Sequence, residues 1–173
     1  MRITRNKKTA EEILRRYKRG DKEFKNVSIE AENLSRHRLV GIVFEGSSLM
    51  GCSFEGSVLK QASFSAANLR EANFKGADLS KANLKGADLR GAILRSVNLN
   101  GADLRWANLE GVNLSGSNIS GANFDGANLR NANLKGTDPG KLWWKANLEE
   151  AKLDGAILPD GTVFGQAGVD KSK

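Results

Sequence analysis

The sequence predicts an all-β solenoid, a chain wound in stacked turns around one apolar core, and three observations predict it. Every fifth residue from Phe24 to Leu134 is Leu, Phe or Ile, which makes twenty-three consecutive positions in one unbroken phase. Neither a helix, with its period of about 3.6, nor an alternating strand holds a five-residue apolar phase on one face over such a length. The chain has to turn inward once per pentapeptide. Two residues before each central position, here called i, the side chain is small: between Ile42 and Thr137 it is Ala twelve times, and otherwise Ser, Cys, Val or Thr apart from Ile42 itself. Large side chains at i and small ones at i−2 fit an interior that both enter and only one can fill. Position i+2 is Gly thirteen times in twenty between Gly41 and Gly136, as suits a turn residue with positive φ. A unit this short cannot bury its own apolar residue, so stability comes from stacking successive turns.

The remaining positions follow from the same geometry. Position i−1 is mostly amide or acid, as in Asn68, Asn73, Asp78, Asn83, Asp88, Asn98, Asp103 and Asn108, side chains that bond nearby backbone at turns. Charges gather at i+1, as in Arg70, Lys75, Lys85, Arg90, Arg95, Arg105, Arg130 and Lys135, and face water. The unit, seen in Ala77-Asp78-Leu79-Ser80-Lys81 and Ala82-Asn83-Leu84-Lys85-Gly86, resembles the pentapeptide-repeat family with its A(D/N)LXX consensus, over about residues 22 to 158. The resemblance implies a right-handed quadrilateral parallel β-helix with four pentapeptides per coil, so that residues twenty apart stack on one face. On that basis there are about seven coils in a tower roughly 33 Å long. Phe24, Phe44, Phe64 and Phe124 fall on one wall, and Phe54 and Phe74 on the opposite one.

Residues 1–20 read as a basic arm and a capping helix. Thr9-Ala10-Glu11-Glu12 has the form of a capping box, Ile13, Leu14 and Tyr17 share one side, and Gly20 is a fitting stop. A short amphipathic helix over about 10 to 19 is expected to cover the first coil, with Met1 to Lys8 a disordered basic arm. The repeats occupy 21–158 with a phase break at about 137–143. Leu134 belongs to the old register and Leu148, Leu153 and Leu158 to one displaced by a residue, with Pro139-Gly140 between them. Trp143 and Trp144 follow, too large to share the narrow core, and are read as an edge cover or a partner contact. Trp106, at an i+2 position in mid-tower, is expected to project outward as a side-face contact. Residues 159–173 form a turn and a frayed tail. Leu158-Pro159-Asp160-Gly161-Thr162 looks like the ending of many cyanobacterial members of the family, with Val163 and Phe164 folding over the last core layer.

The formal net charge is +7. Residues 1–19 hold eight Lys/Arg against two Glu, and the rest of the chain nineteen against eighteen, a net of +1. The excess is N-terminal. Arg15, Arg16, Lys18 and Arg19 could meet nucleic acid or an anionic surface, or form an ordinary solvated helix face. No apolar run approaches the roughly 18 residues of a membrane span, and the basic N-terminus lacks a signal-peptide h-region. The single Cys52 excludes an intramolecular disulfide. A cytoplasmic protein with no membrane association is expected.

No chemistry stands out. The carboxylates are accounted for by repeat position, and His37 is the only histidine, with no second ligand close in sequence. The glycines recur at the repeat period and precede no Gly-Lys-Ser/Thr ending. We expect no catalysis, no cofactor and no metal site. The first functional reading is a scaffold or protein-interaction module, monomeric or weakly self-associating, with an unspecified protein partner. The alternative is nucleic-acid or anionic-surface binding by the basic end, aided by the Arg70/Arg90 and Lys75/Arg95 ladders that Glu71, Asp78 and Asp88 dilute. The third reading is DNA mimicry toward type II topoisomerases, which the resemblance brings in and the near-neutral tower disfavours.

Overall fold

A computed structural model describes residues 6–138 and 150–165. Its regular elements are strand β1 (Asn6–Lys7), helix α1 (Ala10–Lys18) and strand β2 (Val27–Ser28). The rest of the repeat is held by single parallel bridges, one per pentapeptide. Each joins an i−1 residue to the i−1 residue twenty further on, from Glu23 with Val43 to Asn118 with Asp138. One coil therefore contains four pentapeptides. Extended backbone lasts only for the residues around i−1, because a turn follows at once.

The turn explains the composition. In Leu59-Lys60-Gln61-Ala62 the amide of Ala62 donates to the carbonyl of Leu59 at 3.0 Å, and Gln61 has φ of 57°. Positive φ at the third residue is the requirement of a type II turn, and it is why Gly prevails there. The i−1 side chain locks the corner. Asn73 Oδ1 accepts from the amide of Lys75 at 3.0 Å, Asn83 from Lys85 at 3.1 Å, and Asn133 from Lys135 at 2.9 Å.

Inside, the central residues and their small i−2 neighbours are almost fully buried from Phe24 to Leu134. The Phe residues stack within each wall, Phe54 on Phe74 at 4.9 Å between centroids and 6° between planes. They also meet edge to face across the core, Phe64 with Phe74 at 5.8 Å and 82°, an arrangement aromatic quadrupoles favour. Where Ser replaces Ala at i−2, the hydroxyl is satisfied by the coil beneath. Ser57 Oγ donates to the Leu34 carbonyl at 2.7 Å and accepts from the His37 amide at 3.3 Å.

Both ends are covered. Thr9 caps α1 by accepting from the Glu12 amide at 3.2 Å, Ile13 is fully buried, and the Tyr17 hydroxyl donates to the Val40 carbonyl at 2.9 Å. The expectation of a free arm up to Lys8 needs correction. Strand β1 pairs in parallel with β2, Asn6 against Val27 and Lys7 against Ser28, so the lower edge of that wall is occupied by the chain itself. Higher up, Asn128 pairs with Lys152 and Asn133 with Ile157, a separation of 24 residues that accommodates four extra residues beyond Asp138. After Pro159-Asp160-Gly161 the chain turns back. Ile157 and Val163 pair antiparallel, Phe164 donates its amide to Ala156 at 2.8 Å, and its ring packs against the core.

Candidate interaction surfaces

Outward positions form columns, because residues twenty apart stack. The i+2 column containing Trp106 runs Asn26, Gly46, Ala66, Gly86, Trp106, Gly126, one large ring on an otherwise bare corner. Trp106 has φ of 56° and is 53% exposed. Its indole lies over Gly126, where an added Cβ would collide with Trp106 Cδ1. Lys85 Nζ sits 4.6 Å from the ring centroid and the Arg105 guanidinium 5.8 Å. The outward projection read from the sequence is what the structure shows. Trp143 and Trp144 lie outside the described residues.

The cations of α1 divide. Arg16 is absorbed into the fold, bonded to Asp21 at 2.9 Å and laid over the Phe24 ring at 5.0 Å. Arg15, Lys18 and Arg19, with Glu11 and Leu14, line a shallow depression on the outer side of the helix. A second depression, of about 280 Å³, is lined by Arg38, Val40, Lys60, Gln61, Ser80 and Lys81. It exists because Val40 and Ser80 are short where long side chains flank them.

Two carboxylates on the walls are clamped by the arginine two residues on. Arg90 reaches both oxygens of Asp88 at 2.9 and 2.7 Å, and Arg105 those of Asp103 at 2.9 and 2.6 Å. These bonds hold both carboxyls below the ordinary range, against partial burial. They are ionised corner braces. Burial pushes the Cys52 thiol up to about 11, so it stays protonated and unreactive. His37 is half-buried, with Nδ1 2.7 Å from the Ser35 carbonyl oxygen. Among the described residues no group of His, Cys, Asp or Glu could hold a metal, and no helix is long and apolar enough to cross a membrane.

Sequence reasoning missed Ile93. It occupies i−1, a position otherwise mostly polar, and is 43% exposed. The signal was present as an apolar residue in a column of Asn and Ser.

A family model of pentapeptide repeats matches eight copies, over residues 33–65, 47–86, 57–95, 72–111 and 107–138. The chain belongs to the pentapeptide-repeat family. This pentapeptide-repeat protein is similar to the solved structure of HetL, involved in heterocyst differentiation regulation, from the cyanobacterium Nostoc sp. strain PCC 7120. Identity is 26%, over 90% of this chain and 99% of that one, at a TM-score of 0.36. It is also similar to AT2G44920 from the Arabidopsis thaliana thylakoid lumen, with 34% identity over 61% and 67% of the two chains and a TM-score of 0.33. QnrB1, a plasmid-mediated fluoroquinolone resistance protein, matches at 21% identity over 79% and 74%, with a TM-score of 0.37. Comparison with curated proteins finds no match. With all three TM-scores below 0.5, membership rests on the repeat itself.

Proposed function

We propose that the chain is a non-catalytic scaffold that binds a protein partner through the side of its tower, with Trp106 as anchor. In this reading it is a right-handed, four-sided β-helix of about seven coils, working in the cytoplasm. The carrying observation is a bulky aromatic at φ of 56° in a turn position where Gly is the default, 53% exposed. A left-handed conformation costs a residue other than Gly about 1–2 kcal/mol, and this indole gains no core burial in return. Nine other non-Gly residues share the position, among them Gln61, Lys81 and Asn131. Those are polar or small and need no partner. Tryptophan is enriched among the residues that dominate binding energy at interfaces.

Trp106→Gly tests the reading, because it removes the ring and the strain together. Loss of a cation–π contact of about 0.5–1 kcal/mol offsets the relief, so stability should stay within about 1 kcal/mol of wild type. Partner capture by crosslinking in the source cell should fall. A stability loss above about 2 kcal/mol with capture intact makes the indole structural and defeats the proposal.

A second reading, binding of nucleic acid or an anionic surface by the N-terminal end, is favoured by the outer face of α1, where Arg15, Lys18 and Arg19 border one depression. Titration with duplex DNA at two salt concentrations separates it from the first, since phosphate contacts weaken steeply with salt.

A further inference from the structure

The net charge of +1 beyond residue 19 hides an uneven distribution. One wall is bordered by the i+1 column of Arg70, Arg90, Glu110 and Arg130 and by that of Lys75, Arg95, Ser115 and Lys135. Between them runs the i−1 column of Asn73, Ile93, Asn113 and Asn133, joined by parallel bridges. From residue 70 to 136 this wall carries six cations against two carboxylates, Glu71 and Glu110, and at its lower border Glu55 accepts from Asn73 at 3.2 Å. The rest of the chain beyond residue 19 is therefore net negative. Arg90 is held by Asp88 and Arg130 by Asp154. Arg70, Lys75, Arg95 and Lys135 are exposed and have no ion-pair partner among the described residues.

Ile93 stands in the middle of that wall. Arg90 and Arg95 flank it in its own coil, and Arg70 and Lys75 one strand spacing below, about 4.8 Å. An apolar side chain open to water, with cations on both sides, has the composition of an interface anchor inside a charged rim. We infer that this wall is a second docking surface, for an acidic protein segment that brings an apolar side chain to Ile93 and carboxylates to Arg70, Lys75 and Arg95. Charge complementarity selects a polyanion, and Ile93 selects protein over nucleic acid, because a phosphate backbone offers an exposed isoleucine nothing to bury. The surface is separate from the corner of Trp106, so the two can succeed or fail independently.

The test is fluorescence anisotropy on the full chain with three labelled probes: a twelve-residue peptide alternating Glu with Leu, an oligoglutamate of equal length, and a duplex DNA of about twenty base pairs. The Glu/Leu peptide should bind about tenfold or more tighter than oligoglutamate, and Ile93→Ser should erase that advantage. Arg70→Ser with Arg95→Ser should weaken both peptides about tenfold, whereas Lys85→Ser, beside Trp106, should change neither. All three variants alter surface side chains, and unchanged melting temperatures confirm that folding is not the cause. Tighter binding of the duplex than of either peptide overturns the inference. So does an Ile93→Ser protein that keeps the peptide preference, or binding that survives the double Arg variant, which would place it on the N-terminal helix. Failure of the Glu/Leu peptide to bind at low salt overturns it as well.

Discussion

Leu104 and Arg105 are neighbours in the chain and live in opposite solvents, one fully buried, the other folded outward onto Asp103. That alternation of fates within one pentapeptide makes substitution effects nearly binary. Leu104→Lys places an unpaired charge at a position closed to solvent. Even Leu→Ala there should cost about 2–5 kcal/mol, and the buried ammonium more. Arg95→Ser removes only an exposed side chain and should stay within about 0.5 kcal/mol. Thermal melts of the two variants check this, and similar melting temperatures would show the inward phase to be misassigned. Most of this scale was legible beforehand, since i, i−2, i−1 and i+2 each need a different side-chain chemistry. Ile93 was passed over although it stands between the Arg70/Arg90 and Lys75/Arg95 ladders, because its exposure and its bridges to Asn73 and Asn113 are set by the stacking of coils.

Among the elements, α1 and β1 act together as a closure. Ile13 fills the bottom of the core, while β1 pairs with β2 and occupies one of the lower edges. The helix announces itself through its cap and its apolar side. Strand β1 does not, since Asn6-Lys7 has neither strand propensity nor alternation and its pairing is purely tertiary. Removing residues 1–20 should uncover the first apolar layer together with unpaired backbone of β2, a combination that recruits other chains edge to edge. Size-exclusion chromatography with light scattering should show self-association of the truncated chain. Unchanged mass and melting temperature would make the closure dispensable. The upper end was legible in part: Pro159-Asp160-Gly161 marked a turn, and the register slip marked surplus residues, but the antiparallel return of Val163 required the geometry.

For the whole molecule, the corner braces supply part of the acid response, beside Glu12, Asp78 and Asp160, which are also held below the ordinary carboxylate range. Asp88 and Asp103 sit below the usual carboxylate range because of their arginines, so the stability they contribute is present above the unfolded value of about 4 and lost as pH falls through the lower folded one. Melting temperature should be flat from pH 7 to about 5 and decline below about 4. Replacing both with Asn should flatten that decline, and an unaltered acid limb in the double variant would assign it elsewhere. Pairing at twenty also makes the tower a counter of residues. A twenty-residue insertion in mid-tower would lengthen it by one strand spacing and leave the existing residues of every wall aligned as before. A five-residue insertion between Arg95 and Trp106 would instead rotate everything above by a quarter coil, carrying the indole to a different side relative to Ile93. The surplus beyond Asp138 does neither, because pairing at 24 keeps Lys152 over Asn128 and Ile157 over Asn133. Length change there goes unread by the surfaces, whereas anywhere lower in the tower it rewrites which side chains face a partner together.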